Sequence, residues 1–185
     1  MIRGNVPPLD VPEKDDESYK LVNILNNPTL IPIFQIIKKT ELTGKAHRML
    51  TTLGKHIDEI ITYIFEDSPT PLGTRCYLAL QSSDENLMKQ LIEKGLLQGP
   101  AIKLVSQEKP PMLQICRLAG VTLATVVCRP KAISQSCGYI FQLLEFINEP
   151  PIFDFFFQLI SNENLSDAQN WLVSVQFETG VENQI

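Results

Sequence analysis

An all-α fold is predicted by three features of the sequence. Apolar residues recur at helical spacing through most of the chain, and prolines, glycines and asparagines interrupt that recurrence at short intervals. No two segments alternate apolar and polar residues as paired strands do. The 185 residues, 44% hydrophobic and 20% charged, suffice for one substantial core or one elongated array. A net charge of −5 gives no basic footprint, which argues against nucleic acid and anionic membrane as partners. Cys76, Cys116, Cys128 and Cys137 form no CxxC pair, and "MIRGNVPPLDVPEKDDES" lacks the apolar core of a secretory segment, so a reducing, cytoplasmic or nuclear setting is expected. Each cysteine then reads as a small buried hydrophobe. The longest apolar run, Val121 to Cys128, is far short of the roughly 20 residues that a membrane span needs.

Residues 1–16, with Pro7, Pro8, Pro12 and the cluster "EKDDE", read as a flexible tail, because so polar a stretch buries too little to offset the entropy of ordering. The helical domain is assigned to 17–185. In "ESYKLVNILNN", Leu21, Val22 and Leu25 share a face and Pro28 blocks continuation. "TLIPIFQIIKK" has Pro32 near its start, where a missing amide is tolerated, and Lys38 and Lys39 where a helix C-terminus favours cations. "ELTGKAHRMLTTLG" aligns Leu42, Ala46, Met49, Leu50 and Leu53, then ends at Gly54, a residue suited to a left-handed cap. "KHIDEIITYIFED" carries the stripe Ile57, Ile60, Ile61, Ile64 and Phe65, where periodicity outweighs the β-propensity of isoleucine.

"SPTPLGTRCYLALQSS" starts a helix at its prolines, and "DENLMKQLIEKG" starts at an Asp84 cap, buries Leu87, Met88, Leu91 and Ile92, and stops at Gly95. After Gly99 and Pro100 comes the short apolar piece "AIKLV". "EKPPMLQICRLAGVTLATVVC" leaves only a thin polar face at Gln114, Arg117 and Thr125, so it reads as a central helix, with a strand over "VTLATVV" as the alternative. "KAISQSCGYIFQLLEFIN" resumes the helical period through Ile133, Cys137, Ile140, Phe141, Leu144 and Ile147, weakened at Gly138. In "FINEPPIFDFFFQLIS", Asn148 or Glu149 caps a helix opened by Pro150 and Pro151. Phe153, Phe156, Phe157 and Ile160 are expected to form its buried face, with Phe155 and Leu159 partly round the side; a ligand box or an exposed partner patch is the alternative reading. "SDAQ", residues 166–169, matches a capping box before a helix expected to bury Trp171, Leu172, Val175 and Phe177.

About ten helices joined by short turns make consecutive helices neighbours, and stacking helix pairs buries what no pair can hide alone. The predicted architecture is an α-solenoid of armadillo or HEAT-like repeats; element spacing alone does not separate it from an irregular helical bundle.

Chemistry-bearing patterns are sparse. His47 and His56 flank no nucleophile motif, Asp15 with Asp16 and Asp58 with Glu59 read as solvated charge, and no GxxxxGK[ST], GxGxxG, HExxH or EF-hand loop occurs. No enzyme activity, cofactor or metal is expected. "IFDFFFQLI" followed by "NWLVSVQFETGV" resembles a pattern of the SAPS-domain family, the regulatory subunits of protein phosphatase 6: an apolar helix with an early aspartate, a loop, and Trp-Leu opening the next helix. Asp154, Leu159, Trp171 and Leu172 match that order. "DEIITYIFEDSPTPL", with Ser68, Pro69, Pro71 and Leu72, resembles the family's acidic Ser-Pro turn. The chain departs from the pattern at Gln158, where a basic residue is usual, and at "FINEPP" before the aspartate. The resemblance implies a noncatalytic adaptor that holds a Ser/Thr phosphatase catalytic subunit as its protein partner, with Asp154, Gln158, Trp171 and Leu172 as partner-binding or family-motif positions. A general helical-repeat adaptor with another partner is the alternative reading.

Overall fold

The computed structural model describes residues 20–26, 52–66, 70–81 and 85–175. The expected tail over 1–16, the helix begun at Pro32, most of the helix that includes His47, the Asp84 cap and Phe177 lie outside these residues. Of the described residues 78% are helical and none is in a strand. The strand alternative for "VTLATVV" therefore falls, since that segment lies within one helix of 17 residues.

In chain order the helices are α1 (Leu21–Leu25), α2 (Ile57–Ile64), α3 (Pro71–Gln81), α4 (Glu85–Glu93) and α5 (Gln98–Val105), followed by α6 (Met112–Cys128), α7 (Ala132–Ser136), α8 (Ile140–Leu143), α9 (Pro150–Ser161) and α10 (Ser166–Ser174). Short 3-10 turns at Leu144–Phe146 and Glu163–Leu165 complete the set. Three helix boundaries have a clear local cause. α3 opens at Pro71, with Thr70 Oγ1 accepting the Gly73 amide at 3.0 Å. α9 opens at Pro150 behind an extended Glu149, as its two prolines predict. α4 ends where Gly95 takes a φ of +61° and the Leu96 amide reaches the Leu91 carbonyl at 3.2 Å, a left-handed helix stop.

Five sequence expectations are corrected by the packing. Gly54 sits within a helical turn over 52–55 and caps nothing; it faces the side chains of Gln90 and Asn86. In α1 the buried residues are Leu21, Ile24 and Leu25, while Val22 faces solvent. The segment after Lys131 is two short helices because the chain turns at Cys137–Tyr139, which lets the Tyr139 ring enter the core. In α10 Leu172 is buried, but Trp171 is only half-buried against Phe141, and Val175 is exposed. Gln169 does not close a capping box; its Nε2 donates to the carbonyls of Leu159 (3.4 Å), Ile160 (3.0 Å) and Asn162 (2.9 Å), so it satisfies the end of the preceding helix.

α6 is the centre of the described structure, lying against α3, α4, α5, α7 and α9. α2 packs on α3 and α4, and α10 on α7 and α9. At Gly73 the backbones of α2 and α3 come so close that a Cβ would stand 2.4 Å from the Tyr63 carbonyl.

Candidate functional site

The expected central helix is α6, and its thin polar face at Gln114, Arg117 and Thr125 is buried with it. Polar groups buried along such a helix must find partners inside. Gln114 Nε2 donates to the Glu66 carbonyl and Thr125 Oγ1 to the Val121 carbonyl at 2.8 Å. Thr122 Oγ1 donates to the Leu118 carbonyl at 2.7 Å and meets the Tyr139 hydroxyl at 2.7 Å.

Arg117 is the unusual member of this set. Its side chain donates to the Ile64 carbonyl at 3.2 Å and to Thr74 Oγ1 at 2.9 Å, and its guanidinium carbon lies 5.9 Å from the centre of the Tyr77 ring. Among the described residues no carboxylate pairs with it, although a buried cation is ordinarily matched by an anion. Arg117 lies in the wall of an open groove of about 510 Å³ between α3 and α6. Thr74, Tyr77 and Leu78 on one helix face Leu113, Cys116 and Arg117 on the other, both sets at the i, i+3, i+4 spacing that puts three side chains on one helix face.

The second surface feature is on α9. Its buried stripe is Ile152, Phe155, Phe156 and Leu159, with Phe155 and Phe156 in edge contact at 4.9 Å. Phe153, Phe157 and Ile160, expected inside, are 56%, 59% and 58% exposed. The Phe153 and Phe157 rings stack on one another at 6.3 Å. Of the aromatic set, Phe156 alone keeps its expected place, and Phe155 and Leu159 move to the centre of the face.

Asp154 and Gln158 lie on the exposed side of α9 beside this second stripe. Asp154 is in the second turn, too late to cap the free amides at the start of the helix, and no described cation pairs with it. Trp171 and Leu172 are carried by α10, which packs on α9, and both contribute to packing there: Leu172 in the core and Trp171 against Phe141 at 6.1 Å.

Elsewhere the reactive groups are quiet. His56 Nδ1 is hydrogen-bonded to Glu59 at 2.8 Å, and Lys94 Nζ forms a surface ion pair with Asp58 at 2.6 Å. Burial pushes the Cys76 thiol up to about 12 and Cys137 to about 11, which keeps both protonated at neutral pH. Cys116 is raised for the same reason, with the Glu149 charge adding to it. Among the described residues no three His, Cys, Asp or Glu side chains could hold a metal ion together, and no helix is long and apolar enough to cross a membrane. No family model matches this chain, and neither a curated protein nor a solved structure matches it.

Sequence reasoning missed the groove and ranked the exposed aromatic face below burial. The only trace of the groove was a lone arginine in an otherwise apolar helix, and the only trace of the exposed face was an aromatic content larger than one stripe can hold.

Proposed function

We propose that this chain is a noncatalytic scaffold, built as an α-solenoid, that binds a Ser/Thr protein phosphatase catalytic subunit. The observation that carries the protein-binding part is the exposed stripe Phe153, Phe157 and Ile160 on α9. Large aromatic side chains stacked in solvent are uncommon outside contact surfaces, and aromatic anchors dominate binding at interface centres. The phosphatase as partner is drawn from the resemblance around Asp154, Leu159, Trp171 and Leu172, three of which flank or support that stripe. The polar neighbours Asp154 and Gln158 would then form the rim and Trp171 and Leu172 would hold the helix that backs it. The four thiols suit a reducing compartment such as the cytoplasm.

Co-expression of the full chain with phosphatase catalytic subunits tests this. A stoichiometric complex is expected, retained in moderate salt and lost in the Phe153→Asp, Phe157→Asp double variant while the thermal transition is kept. If no phosphatase copurifies and another protein does so stoichiometrically, the chain is a general helical-repeat adaptor. The isolated chain is expected to hydrolyse neither phosphoesters nor nucleotides; turnover by purified chain would show that it is an enzyme.

A further inference from the structure

Arg117 is 5% exposed and so has given up nearly all of its hydration. In exchange it has two neutral oxygens, the Ile64 carbonyl and the Thr74 hydroxyl, and the flank of Tyr77. Neutral acceptors orient a guanidinium, no carboxylate among the described residues pairs with its charge, and a fixed, dehydrated fork of N–H donors is what a carboxylate recognises best. The groove beside it is apolar on both walls, with Leu78 from α3 and Leu113 from α6, and the 48% exposure of Leu113 puts an apolar side chain within reach of an arriving molecule. The groove is open to solvent along its length, which suits a side chain presented from outside better than a metabolite enclosed on all sides.

We infer that this groove is a docking site for an acidic residue flanked by apolar side chains in a peptide segment of a protein partner, with the carboxylate meeting Arg117 and the apolar neighbours lying on Leu78 and Leu113. Charge complementarity selects the occupant. The net charge of −5 repels acidic segments at long range, so recognition depends on this one local cation. The inference rests on the protein-binding part of the proposed function but not on the phosphatase, and it concerns α3 and α6, whereas the phosphatase proposal concerns α9. Tyr77 gives the site its shape: its hydroxyl accepts from Gln81 Nε2 at 2.5 Å, which fixes the ring beside the guanidinium.

The probe is the peptide acetyl-Leu-Glu-Leu-Leu-amide, titrated into the full-length chain while the Arg117 Nε–Hε resonance and the Leu113 methyls are followed by NMR. Saturable shifts at both positions are expected, with at least about tenfold weaker binding of the peptide carrying Gln in place of Glu, since a tenfold step corresponds to one good charged contact. Binding should also slow maleimide modification of Cys116, which is half-buried in the groove. Arg117→Gln should abolish the preference for Glu over Gln. Because that substitution touches the core, the exposed Leu113→Glu provides a second variant, expected to keep the thermal transition and lose the peptide. Equal affinity for the Glu and Gln peptides, or shifts that leave Arg117 and Leu113 unmoved, would overturn the inference. Saturable binding of sodium hexanoate without binding of the peptide would overturn it too, in favour of a small carboxylate ligand. Loss of the phosphatase complex in the α9 variant with peptide binding retained, or the converse, tells the two proposals apart.

Discussion

The helices α6 and α9 make opposite use of the same kind of sequence. α6 carries glutamine, arginine and threonines, yet Gln114, Arg117, Thr122 and Thr125 are all buried; α9 is the more aromatic, yet Phe153, Phe157 and Ile160 stand in solvent. The apolar composition of α6 pointed to a central helix, but that of α9 did not show which of its faces would stay in solvent. What separates them is position: α6 is enclosed by five other helices, while α9 is covered by α6 and α10. A polar group on an enclosed helix is tolerable when its hydrogen bonds close internally, as those of Thr122 and Thr125 do through the carbonyl four residues back. An apolar group on a helix face that no neighbour covers has no such resort and stands in solvent.

The sharpest test of this contrast lies within α9. Phe156→Ala should destabilise the protein by about 3–5 kcal/mol in chemical denaturation, and Phe157→Ala, one residue on, by no more than about 0.5 kcal/mol. Comparable losses at the two positions would mean that the outer stripe is covered after all.

A smaller effect is expected from α6. Thr122→Val keeps the shape but leaves the buried Tyr139 hydroxyl without its 2.7 Å partner, and should cost about 1–3 kcal/mol. A neutral result would show that water or Cys137, whose sulfur lies 3.9 Å from that hydroxyl, takes over.

The gentlest probe is pH. The Cys76 thiol has an ordinary value of 9.0 and is raised to about 12 in the fold, chiefly by loss of hydration. In the unfolded chain the proton leaves first, so the stability that burial of the neutral thiol contributes is fully present below about pH 9 and is lost as pH climbs from there towards 12. The loss should approach about 1.4 kcal/mol per pH unit for this thiol, with Cys137 adding to it between 9 and about 11. Denaturation midpoints measured from pH 8 to 10.5 should fall, and Cys76→Ala should flatten the slope; an unchanged slope would place the thiol in contact with water.

The helices themselves were legible in the sequence wherever a local signal fixed them. Pro71 and Pro150 opened helices as expected, Gly95 closed one, and the isoleucine stripe of α2 read correctly because its helix offers a single apolar face. The all-α class followed from these alone, since caps, prolines and the 3.6-residue period act within a few residues of chain and need no tertiary partner.

Which face turned inward was legible only where one face was apolar. α9 carries two overlapping stripes, 152-155-156-159 and 153-157-160, of nearly equal apolarity, and nothing within the helix ranks them. The choice belongs to the surfaces that α6 and α10 present. Likewise Gln169 reads as half of a capping box in sequence, but the preceding helix ends within reach and its orphan carbonyls take the amide instead. Arg117 became the wall of a groove only when α3 was laid beside α6, with Thr74 and Tyr77 supplied from forty or more residues away. Hydrogen bonds and periods that close within a turn are written in the sequence; the burial of a charge and the exposure of an aromatic stripe are properties of neighbours, and only the tertiary structure brings the neighbours together.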